Sequence, residues 1–212
     1  DQTLDPSQYE IIVVDNCSTD QTKPIVTEQF SHIANLKYLY EPIQGLSQAR
    51  NTGWQNAEGE YIAYLDDDAI ASPDWLEKII ETYNTVKPQP GVVGGKVEPI
   101  WEAERPSWLS DKIARSLTII DWSEVPIFLD QKKWVAGANV SYLKLLLKSC
   151  NGFDVNLGRK GSNLLSCEEN YLHQKIREIG YQIYYHPSIV VQHHIPASRL
   201  QKNWHFKRRY WA

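Results

Sequence analysis

Short apolar runs, each closed by polar turn formers and each followed by residues at helical spacing, set the rhythm of the first half of the chain. Glu10–Val14 is too short and too β-branched for a helix and reads as a buried strand, ending in Asp15-Asn-Cys-Ser-Thr-Asp20. A helix is expected from Gln21 to about His32, with Pro24 tolerated in its first turn. Leu36–Tyr40 is a second strand, and Gly45 opens a helix that runs to about Ala57 and is closed by Gly59. The apolar run Tyr61–Leu65 then stops at three consecutive carboxylates, Asp66, Asp67 and Asp68. Ser72 and Pro73 read as the N-cap and first position of the next helix. In it Trp75, Leu76, Ile79, Ile80 and Tyr83 recur at helical spacing to about Thr85. Val92–Val97 is a further strand, weakened or kinked by Gly94 and Gly95. Strand and helix alternating at this spacing predict βαβ units and an α/β, mostly parallel sheet flanked by helices.

Past Glu98 the rhythm breaks. The stretch to Gln131 is rich in Pro and Trp (Trp101, Trp108, Trp122) and shows no period, and long irregular insertions in compact domains more often serve a function than not. Order resumes with Trp134–Asn139 and a short helix at Leu143–Leu147, followed by a turn-rich loop from Gly152 to Gly161. Glu168–Ile179 reads as a helix with Leu172, Ile176 and Ile179 on one face and Gly180 as its stop. Strands Gln182–Tyr185 and Ile189–Gln192 lead into His193-His194.

A chain of 212 residues, 42% hydrophobic and 23% charged, suits one folded domain of ordinary size or a domain plus a small extension. Three cysteines without a CxxC pair favour a reducing compartment, and no apolar run reaches a membrane span. That places the chain in the cytoplasm or at the inner face of a membrane. Net charge is −4, but Arg199–Ala212 carries five basic residues and no acid, so the remainder carries −9. This basic, aromatic tail suits packing on the domain, or contact with an anionic membrane surface.

Five polar clusters end a strand or begin a helix: Asp15–Asp20, Arg50–Asn51, Asp66–Asp68, Glu168–Glu169 and His193–His194. Ligands of open α/β sheets bind at the carboxyl ends of strands. Packed carboxylates need a cation or solvent to compensate them. Each cluster also has a plainer reading: Thr19 or Asp20 as an N-cap, Arg50 as an exposed helix residue, the glutamates as first-turn acids, the histidines as structural.

In combination the motifs resemble a known family. Glu10-Ile-Ile-Val-Val-Asp-Asn-Cys-Ser-Thr-Asp20, Gly45-Leu-Ser-Gln-Ala-Arg-Asn-Thr-Gly53 and Gly59-Glu-Tyr-Ile-Ala-Tyr-Leu-Asp-Asp-Asp68 are similar, in order and spacing, to the family 2 glycosyltransferases of the GT-A fold. Gly137-Ala-Asn139, Gly152-Phe-Asp154, Cys167-Glu-Glu-Asn170 and Val190-Val-Gln-His-His194 resemble that family's acceptor-side half. The resemblance implies a Rossmann-like GT-A domain whose residues 1–97 bind a nucleotide sugar. Residues 98–198 would hold the acceptor and the catalytic acid, and 199–212 form the tail. It implies an inverting transfer of a sugar from a nucleotide-diphosphate donor to the hydroxyl of a glycan or lipid-linked acceptor, with no part for nucleic acid.

The same resemblance implies residue roles. Asp15 would hydrogen-bond the nucleotide base, and Arg50 would lie near the diphosphate or brace the acidic turn. Asp66 and Asp68 stand for the DXD element that holds Mg²⁺ or Mn²⁺, with Asp67 beside the donor as a bystander or supporting acid. Glu169 occupies the catalytic-base position, where the family more often has Asp, and Glu168 precedes it. His193 would complete the metal site, with His194 as the alternative. Gly137–Asn139 would let backbone approach the donor sugar, and the tryptophans of the insertion would either stack on an acceptor or anchor the loop. The family pattern also begins with one more strand, turn and helix ahead of Glu10–Val14. With Met absent altogether, the chain is expected to start inside a longer gene product. A nucleotidyltransferase of similar plan and a non-catalytic glycan-binding relative are the alternative functions.

Overall fold

The computed structural model describes residues 1–161 and 163–211. Strand β1 (Ile11–Asp15) pairs in parallel with β2 (Leu36–Tyr40) as a two-stranded sheet of its own. Between them the helix expected to reach His32 is short: α1 (Thr22–Pro24) runs into a π-helical turn, Ile25–Gln29. None of these residues is buried, so no apolar face supports a longer helix. Gln21, not Thr19 or Asp20, is the N-cap residue of α1; Asp20, one position before it, accepts from the Thr22 N–H at 2.9 Å.

Helix α2 (Leu46–Asn56) is unusual in the face it buries. Ser47, Arg50, Asn51 and Trp54, at helical spacing, are its buried residues, so the inward stripe is largely polar. Arg50 is therefore not an exposed helix residue. Asn51 is tied across the chain to Phe153, its Nδ2 donating to the Phe153 carbonyl at 2.8 Å and its Oδ1 accepting from the Phe153 N–H at 2.9 Å. The Trp54 indole N–H donates to the same Oδ1 at 3.0 Å. Thus the second and fifth sequence motifs interlock.

The main sheet holds β3 (Tyr61–Tyr64), β4 (Ala69–Ala71), β5 (Val92–Trp101), β6 (Ile127–Phe128), β7 (Val140–Leu143) and β8 (Ile183–Ile195). Its order is β3-β7-β5-β8-β4, with β6 also on β8. The α/β plan is as expected, but the sheet is mixed where a mostly parallel one was predicted. β5 and β8 pair in parallel, while β7 runs antiparallel between β3 and β5, and β4 and β6 run antiparallel to β8. β4 reverses directly after β3 through the Asp66–Asp68 turn, whereas β7 enters the sheet after the irregular stretch that follows Glu98. The two strands predicted at Gln182–Tyr185 and Ile189–Gln192 are one bulged strand. Its register against β5 jumps between Gly95 and Lys96. A Cβ on Gly95 would lie 1.8 Å from the Ile189 carbonyl oxygen, so only glycine lets the bulge close.

Helix α3 (Trp75–Thr85) starts two residues later than read, because Ala69–Ala71 extends as β4 and Ser72 and Pro73 form the turn after it. Its Ile79 and Tyr83 meet Val92, Val93, Val97, Tyr142, Leu172, Ile176, Ile183 and Tyr185 in one core. Asn139, fully buried, pins this core: it accepts from the Trp75 indole N–H at 2.9 Å and donates to the carbonyls of Lys96 and Ile189, both at 2.9 Å. In the 98–131 stretch, α4 (Asp111–Ala114) joins a smaller core of Leu109, Leu117, Ile195 and Leu200. Trp101 and Trp108 pack on that core, and Trp122 donates to the Trp134 carbonyl at 2.7 Å. All three tryptophans anchor the loop. The remaining helices are α5 (Lys144–Ser149), α6 (Glu168–Glu178) and α7 (Lys202–Tyr210). Trp204 of α7 packs on the smaller core, whereas Phe206 and Tyr210 are exposed.

Candidate active site

Strand β3 delivers Asp66–Asp68 to its carboxyl end, and β4 then decides what they meet. Ala69 pairs with His193, and the His194 N–H donates to the Asp68 carbonyl at 2.8 Å. This seats the buried His193 with its Nε2 3.1 Å from Asp68 Oδ1. Asp66, Asp68 and His193 each offer a ligand atom, all within 4.8 Å of one another. Two carboxylates and an imidazole at that spacing suit Mg²⁺ or Mn²⁺. Asp67 is exposed and is not one of these three, and His194 bonds the turn through its backbone N–H.

A second acidic group lies on the other side of Arg50. Its Nη1 is 3.0 Å from Glu168 Oε1 and 3.0 Å from Glu169 Oε1, and its Nη2 is 3.6 Å from Asp66 Oδ1. The guanidinium carbon lies 5.4 Å from the ring centroid of Phe153 and 5.9 Å from that of Tyr64. One cation thus bridges the Asp66–Asp68 turn and the first turn of α6. Burial works to lower the Arg50 pKa, but Glu169, Asp66 and Glu168 outweigh it and hold the charge firmly. The two glutamates divide their roles. Burial, reinforced by the charge of Glu169, pushes Glu168 up toward the protonated form. Burial would raise Glu169 too, but Arg50 more than compensates and keeps it ionised. Glu168 is nearly enclosed, with its Oε2 buried and unpartnered among the described residues, while the Glu169 side chain keeps 18% of its surface open.

Gly137 also lies against the ion pair. A Cβ there would lie 2.0 Å from Arg50 Nη2 and 2.3 Å from Glu169 Oε1. The absent side chain makes room for the ion pair itself.

Asp15 stands apart, at the end of β1. It is buried, accepts from the Tyr38 hydroxyl at 2.6 Å and the Ser18 N–H at 2.8 Å, and joins none of the contacts around Asp66. The Tyr38 hydroxyl is the main cause that lowers its pKa, and the tyrosine in turn is pushed up to about 12.

The sequence reading missed two features. His173, one turn after Glu169 on α6, is buried with Nε2 2.9 Å from the Tyr142 hydroxyl, and burial lowers its pKa to about 4, which keeps it neutral. Arg199, assigned by sequence to the basic C-terminal tail, lies with Nη2 3.6 Å from Asp68 Oδ2. Its only local signal was a basic residue six positions after His193.

The sequence model of the family described as Glycosyl transferase family 2 matches residues 1–137. Among curated relatives, the glucosyl-dolichyl phosphate glucuronosyltransferase of Haloferax volcanii is 27% identical over 212 residues, covering 99% of this chain and 66% of its own. Among solved structures, the mannosyltransferase PcManGT of Pyrobaculum calidifontis, in complex with GDP-Man and Mn²⁺, superposes with a TM-score of 0.71 at 21% identity, over 99% of this chain and 54% of that one. S. aureus TarS with UDP-GlcNAc gives 0.67 at 20% identity, over 92% and 51%. The chain therefore spans about half the length of these structures and 66% of the curated relative.

Proposed function

The chain belongs to glycosyl transferase family 2, and from that premise we propose that it moves a sugar from a nucleotide-diphosphate donor to an acceptor hydroxyl with inversion. The observation that carries this reading is the single constellation in which Arg50 links Asp66 to Glu169, with Asp68 and His193 alongside. Asp66, Asp68 and His193 would hold Mg²⁺ or Mn²⁺ at the carboxyl end of β3. The bound cation would offset charge developing on the leaving diphosphate.

Glu169 is the base in this account. It is ionised and partly open, whereas the neighbouring Glu168 is enclosed and favours its proton. Glu169 takes the proton of the acceptor hydroxyl as that oxygen bonds to the anomeric carbon and the bond from that carbon to the diphosphate breaks on the opposite face. Arg50 aims the carboxylate and keeps it charged. Asp15, ionised at the end of β1, would read the nucleotide base with the lone pairs left over from Tyr38 and Ser18. A glycan or lipid-linked molecule is the proposed acceptor; the Haloferax volcanii relative's name points to a lipid phosphate in that protein. No helix among the described residues is long and apolar enough to cross a membrane. The exposed Phe206, Tyr210 and Trp211 beside Lys207 and Arg209 suit peripheral contact with an anionic leaflet. Family membership favours sugar transfer over nucleotidyl transfer.

Isothermal titration with UDP-, GDP- and dTDP-sugars, with and without Mn²⁺, tests the proposal. One of these donors is expected to bind in a Mn²⁺-dependent way that Asp66→Asn together with Asp68→Asn abolishes. Binding that ignores both Mn²⁺ and the double substitution would overturn it.

A further inference from the structure

One buried polar pair takes no part in the proposed mechanism. His173, 1% exposed on α6, has its Nε2 2.9 Å from the hydroxyl of Tyr142, which is fully buried on β7. Tyr142 lies inside the sheet, opposite Ile62 of β3 and Val92 of β5. Its ring meets those of Tyr64 and Phe153 edge-on, with centroids 5.9 and 5.8 Å away, and these two meet each other the same way at 5.5 Å. They are the two rings that flank the Arg50 guanidinium. Tyr64 also donates its hydroxyl to the Arg50 carbonyl at 3.1 Å. His173, for its part, stands four positions after Glu169, so both project from one face of α6. The pair therefore joins the aromatic support of Arg50 to the helix that brings Glu169 to it.

Little else fixes the first turn of α6. Its N-cap, Cys167, has left-handed backbone (φ 80°) and makes no side-chain capping bond. Leu172 and Ile176, both fully buried, hold the helix on the core, but apolar contact has no direction and tolerates small shifts along the axis. Lys175 and Arg177 donate to the carbonyls of Cys150 and Asp130, from long side chains further along the helix. Among the described residues, His173 is the α6 side chain that hydrogen-bonds a strand. Its Nδ1 is buried with no partner among them, so Nε2 alone directs the ring. An apolar side chain would bury no unpaired nitrogen, and the contact with Tyr142 is what offsets that cost. We propose that Tyr142 and His173 are positioning residues: their hydrogen bond sets α6 against β7 so that Glu169 meets Arg50 at 3.0 Å, and the rate of transfer depends on it. The effect on rate rests on the sugar-transfer reading, whereas the brace does not.

The test compares Tyr142→Phe, His173→Leu, the two combined, and His173→Gln with the wild type. It follows Mn²⁺-dependent release of UDP, GDP or dTDP from their sugar conjugates, and unfolding in urea. Either single change should lower kcat about tenfold or more, as for a catalytic group displaced by a fraction of an ångström, with the donor KM within about threefold of wild type. His173→Gln, whose amide reaches the Nε2 position, should recover most of the loss. The double variant separates positioning from stability. Removing both partners of a buried hydrogen bond is nearly neutral for folding, so its urea midpoint should lie close to wild type while kcat stays low. A double variant with the wild-type kcat, single variants with the wild-type kcat, or a loss confined to KM would overturn the inference and leave sugar transfer standing. If the wild type neither binds nor cleaves any of these donors, the sugar-transfer reading falls, and crystals of Tyr142→Phe, which keeps the ring and loses one oxygen, decide the brace. A separation of Arg50 Nη1 from Glu169 Oε1 beyond hydrogen-bond reach supports it, and an unchanged 3.0 Å overturns it.

Discussion

At the scale of single residues, the site is built around one cation held by three acids, and Gly137 sets how closely they meet. Gly137→Ala would push a methyl group into the Arg50–Glu169 pair. The expected outcome is a transfer rate lower by about 10²-fold, typical of a misplaced catalytic group, while the far-UV circular dichroism stays that of the wild type. A parallel loss of folded signal would mean that Gly137 serves the fold instead. Asp15 gives a pH-dependent prediction. Its folded pKa is lowered, chiefly by the Tyr38 hydroxyl, so its contribution to stability is present above the ordinary Asp value of about 3.9 and fades as pH falls through the folded value. Tyr38→Phe should therefore cost stability near pH 7, and urea titrations should show the difference from wild type shrinking below about pH 4. A difference independent of pH would contradict that origin. The sequence made Asp66, Asp68, Glu169 and His193 legible because each belongs to a motif in a fixed order. It hid Arg199, whose reach to Asp68 depends on where β8 ends.

Among elements, α2 and β4 organise the rest. The buried polar stripe of α2 could be found from sequence only as a motif, since helical spacing of apolar residues is weak there and the burial comes from partners more than 100 positions away. Asn51→Ala would leave both backbone groups of Phe153 and the Trp54 indole N–H without their partner. A loss of about 3 kcal/mol or more in denaturant unfolding is expected, from several buried groups left unpaired; a loss below about 1 kcal/mol would show that water replaces the amide. β4 escaped prediction because three residues carry too little periodicity to register, and its strand character comes from pairing with β8. Yet that pairing is what brings Asp68 to His193. The α/β alternation was readable from the apolar runs, but the mixed sheet was not, because the direction of β7 is set by the path of the irregular stretch before it.

For the whole molecule, acids from β3 and α6 gather around the buried Arg50, and Arg199 from beyond β8 reaches Asp68 at 3.6 Å. A net charge of −4 conceals this, as does the division of the sequence into a domain and a basic tail. The central claim is that this arrangement transfers a sugar with Glu169 as base. The direct measurement is Glu169→Gln in a protein that binds its donor, with donor affinity and transfer rate determined on the same preparation. The account predicts donor affinity within about threefold of wild type and transfer reduced by about 10² to 10⁴, the range for loss of a general base. Transfer that survives Glu169→Gln at near wild-type rate would contradict it.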